Sequence, residues 1–143
     1  MTHATVLLVD DEKGFVDAMA KRLEKRGMTV YKAYDGDSAN RLLEERSDVE
    51  VVVLDMKMPG KGGLQVLYEI KEEHPLVEVI MLTGHATVPS AVEGIQHGAF
   101  DYLMKPCDLE DLVGKIAEAV ALKAEHETEA VEERIGKISQ RMV

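Results

Sequence analysis

Thiols are nearly missing from this chain. Of 143 residues only Cys107 is a cysteine, so no disulfide can close within it, and a reducing compartment is the expectation. No apolar run approaches the roughly 20 residues that a membrane span needs. The first residues lack the basic segment and long apolar core of a secretory leader. Together these absences predict a cytoplasmic protein with no membrane contact. Bases are in deficit too, 17 against 27 acids for a net charge of −10, which argues against direct nucleic-acid binding. No helix-turn-helix pattern, Walker motif, repeat or low-complexity tract is present. What remains is 45% apolar with interspersed charge, the composition of one globular domain large enough to bury a core.

Short apolar stretches that read as strands lie at residues 5–9, 28–33, 50–54, 77–82 and 100–104. Amphipathic helical patterns separate them. The first sets Phe15, Met19 and Leu23 four residues apart and stops at Gly27. The second, about residues 36–45, turns Ala39, Leu42 and Leu43 inward, and the third carries Leu64, Leu67 and Ile70 and ends before Pro75. The fourth covers about residues 88–97 with Val88, Val92 and Ile95 inward, and Gly98 ends it. The fifth starts near Leu109 and buries Leu112, Val113, Ile116 and Val120. Met19, Met81 and Met104 read as core filler. Five strand–helix alternations with short connections predict an α/β fold, doubly wound and flavodoxin-like: a (βα)5 unit whose parallel sheet has order 2-1-3-4-5.

Residues 123–143 differ from the rest. They contain no proline and one glycine, and Val131, Ile135, Ile138 and Met142 repeat at 4-3-4 spacing below Val120, Ala124 and Thr128. The pattern predicts a helical extension beyond a 1–122 domain. A seam on it for a second copy of the chain, giving a homodimer, is favoured over a frayed linker.

The strand ends carry the chemistry. The stretch 51–60 runs from four apolar residues into Asp55 and turns at Pro59-Gly60, and residues 6–9 run into Asp10 and Asp11. In an open parallel sheet ligands bind beyond the carboxyl ends of the strands. Strand order 2-1-3-4-5 brings Asp10, Asp11 and Asp55 to the switch point between strands 1 and 3. Three carboxylates there repel one another unless a cation lies between them, and oxygen donors suit a hard cation such as Mg²⁺. Two more strands end on the same edge, one in Thr83-Gly84 and the other in Lys105-Pro106. A carboxylate nucleophile, a metal, a cation and a hydroxyl are what an aspartyl-phosphate requires.

Asp10-Asp11, the 55–60 segment, Leu82-Thr83-Gly84 and the 98–106 segment resemble the receiver domain of bacterial two-component response regulators, over about residues 5–122. The resemblance implies that Asp55 accepts a phosphoryl group from a histidine kinase or phosphotransfer protein. It implies that Asp10, Asp11, Asp55 and the backbone carbonyl of Lys57 hold Mg²⁺. It further implies that Lys105, set by a cis Lys105–Pro106 bond, pairs with the phosphate. Thr83 and Tyr102 are the implied switch pair, Thr83 moving toward the phosphate and Tyr102 turning inward. The surface that signals to a downstream protein is then the fourth helix, fifth strand and fifth helix. Such a domain is a signalling switch whose only catalysis is its own phosphorylation and slow dephosphorylation.

The chain departs from the family where Gly62 stands in place of a common Asp, which removes a cap from the third helix and loosens its loop. The Lys57 side chain either covers the site or extends into solvent. His85 reads as a surface loop histidine, and Cys107 as an inert small side chain. A flavin-binding module is disfavoured, because the acidic 10–12 loop would repel a phosphate. A Mg²⁺-dependent phosphohydrolase is disfavoured because Lys57 stands where such enzymes place a second acid. A stand-alone regulator acting by protein contact is favoured over the receiver portion of a longer transcription regulator.

Overall fold

The structure, a computed structural model, describes residues 3–84 and 87–141, the side chain of Val88 excepted. His85, Met142 and the inward placement of Val88 therefore lie outside the described residues. Five strands, β1 (Thr5–Val9), β2 (Thr29–Ala33), β3 (Val51–Leu54), β4 (Glu78–Thr83) and β5 (Asp101–Met104), alternate with five helices. These are α1 (Lys13–Glu24), α2 (Gly36–Glu45), α3 (Gly63–Glu73), α4 (Val88–Gln96) and α5 (Leu109–Arg141). All pairings are parallel, and the order is β2-β1-β3-β4-β5.

Period-two alternation divides each central strand between two cores. Val6, Leu8, Val51, Val53, Ile80 and Leu82 face the layer of α1 and α5, where Leu23, Leu112 and Ile116 are fully buried. Leu7, Val9, Val52, Leu54, Val79 and Met81 face Ala39 and Leu43 of α2 and Val66, Leu67 and Ile70 of α3. Each fully buried Leu or Ile contributes about 1.5–3 kcal/mol, so the sheet is held from both sides. The helices stop where turn chemistry directs: Gly27 and Gly98 follow α1 and α4 at φ of 92° and 102°.

Several inward assignments need correction. Val92 and Ile95 on α4 are 48% and 46% exposed, and Met104 is 51% exposed. The reason is geometric: α4 has nine residues, and it is Gly94 that it turns toward Met81 and Tyr102. β5 is an edge strand with β4 as its one neighbour, so Met104 at its end finds no cover. Phe15, Leu42, Leu64, Val113 and Val120 are half-buried at the margins of the two cores. Met19 and Met81 are buried as expected.

Helix α5 continues without interruption to Arg141, 33 residues or about 50 Å. Its first turns close the core, and Arg26 at the end of α1 forms an ion pair with Glu110. His126 Nδ1 still lies 3.5 Å from Glu78 Oε1 on the body. Beyond that point Val131, Ile135 and Ile138 are more than half exposed.

Candidate functional site

Strand register assembles the site. Val9 pairs with Leu54 across β1 and β3, so Asp10 and Asp55 leave the sheet side by side, and the Asp55 N–H donates to the Val9 carbonyl at 2.9 Å. Thr83 pairs with Met104 across β4 and β5, and the Lys105 N–H donates to the Thr83 carbonyl at 2.9 Å. Five of the residues expected from sequence therefore share one edge. Carboxylate oxygens of Asp10, Asp11 and Asp55 lie within 4.8 Å of one another. Asp10, Asp55 and Thr83 are 3%, 4% and 0% exposed, whereas Asp11 opens to solvent. A buried pair with an exposed third member gives a pocket that an ion can enter from one side.

Charge in the pocket is only partly balanced. Burial pushes the Asp55 carboxyl above the usual carboxylate range, and the Asp10 charge adds to the shift. Hydrogen bonds from the Thr83 side chain and the Lys57 backbone N–H, with the charge of Lys105, act against it without cancelling it. Asp55 Oδ1 is buried and, among the described residues, has no hydrogen-bond partner. An orphaned carboxylate oxygen beside two further carboxylates fits a hard divalent cation, which requires oxygen ligands and supplies the missing charge.

Lys105 is seated on the acids. Its Nζ lies 2.5 Å from Asp10 Oδ2 and 3.4 Å from Glu12 Oε1, and 4.2 Å from the centre of the Phe15 ring. Burial lowers its proton affinity, but the Asp10 hydrogen bond and the charges of Asp10, Asp55 and Glu12 outweigh that and hold it above its usual range. The Lys105–Pro106 bond is cis, as the resemblance implies. The Tyr102 ring packs toward the second core beside Gly94, with its hydroxyl buried and without a hydrogen-bond partner among the described residues. The Lys57 side chain is exposed, and Lys57 contributes to the site through its backbone. A groove over the acids is lined by Asp11, Glu12, Asp55, Lys57, Met58 and Pro59.

Three contributors were not evident from sequence. Glu12 and Phe15 share the Lys105 ammonium; Glu12 stood beside the acid pair, but Phe15 read as core alone. Gly63 begins α3 against the site: a Cβ there would come within 2.3 Å of the Asp55 carbonyl oxygen. Its only signal was a glycine run. Gly62 caps α3 without a side-chain bond, as the departure at that position predicts. Cys107 is half-buried against the first core, and burial, then Asp111 and Asp108, push its thiol upward, which keeps it protonated and inert.

Among the described residues no helix is long and apolar enough to cross a membrane. The family model described as the response regulator receiver domain matches residues 6–117. The transcriptional regulator NtrC of Salmonella typhimurium is 33% identical over 121 residues, 85% of this chain and 26% of its own length. GlrR of Escherichia coli is 36% identical over 126 residues, 87% of this chain and 28% of its own. The chain thus spans about a quarter of the curated relatives it matches. Among solved structures, a receiver domain from Clostridium thermocellum superposes with a TM-score of 0.81 at 36% identity, covering 85% of this chain and 97% of that one. NtrX from Brucella abortus, in complex with ADP, gives 0.83 at 32% identity, covering 90% of this chain and 30% of that one. With the fold, the strand-end acids and the match over residues 6–117 in agreement, this chain belongs to the response regulator receiver family, a family of signalling switches.

Proposed function

We propose that Asp55 accepts a phosphoryl group from the phosphohistidine of a sensor histidine kinase or phosphotransfer protein. A carboxylate oxygen of Asp55 forms the new P–O bond as the P–N bond breaks, and the leaving imidazole nitrogen takes up a proton. The observation that carries this reading is the buried Asp55 Oδ1, unpartnered among the described residues, at the meeting of three carboxylates. Mg²⁺ held by Asp10, Asp11, Asp55 and the Lys57 carbonyl would neutralise charge on the transferring phosphoryl oxygens. Lys105, now on Asp10, shifts its ammonium to the new phosphate, and the Thr83 hydroxyl donates to a phosphate oxygen.

Movement of Thr83 frees space beside Met81 and Gly94, into which Tyr102 settles further, and α4 shifts with it. The readout is the outer face of α4, β5 and α5, where Val92, Ile95 and Met104 are exposed and available to a downstream protein. We assign residues 1–122 to the switch and 123–143 to the extension. The stripe of Val131, Ile135 and Ile138 pairs two copies of the chain, and Ile135→Asp is expected to return a dimer to a monomer in light scattering. Asp55 itself is the substrate, so the domain is a cytoplasmic switch that acts by protein contact, without binding nucleic acid directly or turning over a separate substrate.

The test is intact-mass spectrometry after mixing the protein with Mg²⁺ and acetyl phosphate. One added phosphoryl group is expected, absent in Asp55→Asn and in EDTA. Phosphorylation that survives in the Asn variant would overturn the assignment.

A further inference from the structure

The loop between Asp55 and α3 ought to be loose. Gly60 sits at φ 74°, Gly62 caps α3 without a side chain, and Gly63 follows. Glycine leaves such a backbone with the most freedom to lose on ordering. Yet this loop carries the Lys57 backbone that hydrogen-bonds Asp55 and lines the acidic groove. Met58, 7% exposed, anchors its near end in the second core. Its far end is closed by the Gly63 N–H, which donates to the Met56 carbonyl at 2.9 Å, and is tied to the neighbouring helices by the Lys61 side chain. Lys61 Nζ lies 2.8 Å from Asp37 Oδ1 and 2.9 Å from Glu69 Oε1, and Asn40 Nδ2 donates to the same Glu69 oxygen at 3.2 Å.

The Asp37 arm of this contact is a surface ion pair, with the acid 75% exposed, but the Glu69 arm is sheltered, with Lys61 19% and Glu69 32% exposed. The Lys61 stem crosses Gly36 at the start of α2. A Cβ at Gly36 would meet Lys61 Cδ at 3.1 Å and Val66 Cγ2 at 2.6 Å. The missing side chain makes room for the lysine stem, so the ammonium reaches acids on two helices that bracket the loop. Two donors, Lys61 and Asn40, and two acceptors, Asp37 and Glu69, form a network over three elements, the arrangement in which charged contacts gain geometric definition.

We propose that Lys61 is a positioning residue for cation binding and phosphorylation at Asp55: its bridge from the glycine-rich loop to Asp37 and Glu69 takes the place of the missing cap on α3 and fixes the Lys57 backbone at the acid pocket. The inference rests on the cation-dependent reading of the site above. Groups that hold a metal ligand in place without touching the ion commonly change affinity when removed.

Two measurements on the whole chain test it, on Lys61→Met, which keeps most of the stem, Lys61→Arg, which keeps the charge, and Glu69→Gln. The first is hydrogen exchange of the 57–63 amides in EDTA, and the second is Mg²⁺ affinity by titration calorimetry. Lys61→Met is expected to speed exchange in that loop and weaken Mg²⁺ on the order of tenfold. Glu69→Gln should fall between it and the wild type, and Lys61→Arg should recover most of the affinity. The mass gain from acetyl phosphate should return in Lys61→Met when Mg²⁺ is raised. Unchanged loop exchange and Mg²⁺ affinity in a folded Lys61→Met, with the wild type binding Mg²⁺ normally, would overturn the role of Lys61 alone. A wild type that binds no Mg²⁺ would instead remove the reading beneath it.

Discussion

The buried centre of the sheet and the α4–β5 edge are built differently. In the first, α1 alone buries Val16, Met19, Ala20 and Leu23 against strands closed on both faces. In the second, α4 buries Gly94 alone among its described residues and leaves Val92 and Ile95 in solvent. The acids that need fixed geometry stand at the well-packed centre, where neighbours on every side over-determine their positions. The element that the proposed switch would move, α4, lies at the loosely packed edge, where little apolar contact is lost when it shifts. Thr83 and Tyr102 stand at the seam. Thr83 hydrogen-bonds Asp55, and Tyr102 packs beneath α4.

This contrast has measurable consequences. Ile80→Ala, fully buried on β4, is expected to cost about 2–5 kcal/mol in denaturant unfolding. Gly63→Ala drives a methyl group into the Asp55–Met56 backbone and is expected to cost roughly 1–3 kcal/mol, with loss of Mg²⁺ binding. Asp55→Asn should act in the opposite sense. Because the folded Asp55 carboxyl is raised above its ordinary 3.8, its contribution to stability is present at pH below that value and is lost as pH rises through the folded value. The Asn variant should therefore melt above the wild type in EDTA at neutral pH, and the gap should close as pH falls into the acid range. Added Mg²⁺ at ten times its Kd should stabilise the wild type by about 1.4 kcal/mol and the variant less. Val92→Ala and Ile95→Ala should shift stability by no more than about 0.5 kcal/mol. A large loss there would mean that α4 is packed like α1.

Only the well-packed side of this contrast is legible in the sequence. Continuous apolar runs such as Val51–Leu54 mark strands covered on both faces, and the residues that end them form the site, because a parallel sheet delivers every strand end to one edge. The pattern predicts a helix over about residues 36–45, and α2 has those bounds. Legibility failed on α4, where Val92 and Ile95 have helical spacing but no partner. Period reports which residues share a face, and whether that face is covered depends on helix length and on the neighbouring strand. Met104 fails as core filler on related grounds: the expected order 2-1-3-4-5 makes its strand an edge, and at the end of that strand the side chain is 51% exposed. Lys61, Glu12 and Phe15 escaped notice because their partners are distant in sequence: Lys61 reaches Asp37, and Phe15 and Glu12 reach Lys105.

The central claim is that charge added at Asp55 is read out at α4 and β5. Hydrogen exchange by mass spectrometry, with Mg²⁺ and acetyl phosphate on the wild type and on Asp55→Asn, tests it directly. The account predicts altered exchange in peptides covering residues 87–104 of the wild type, little change in β1 and β3, and none in the variant. Full phosphorylation of Asp55 with exchange in α4 and β5 unchanged would contradict it.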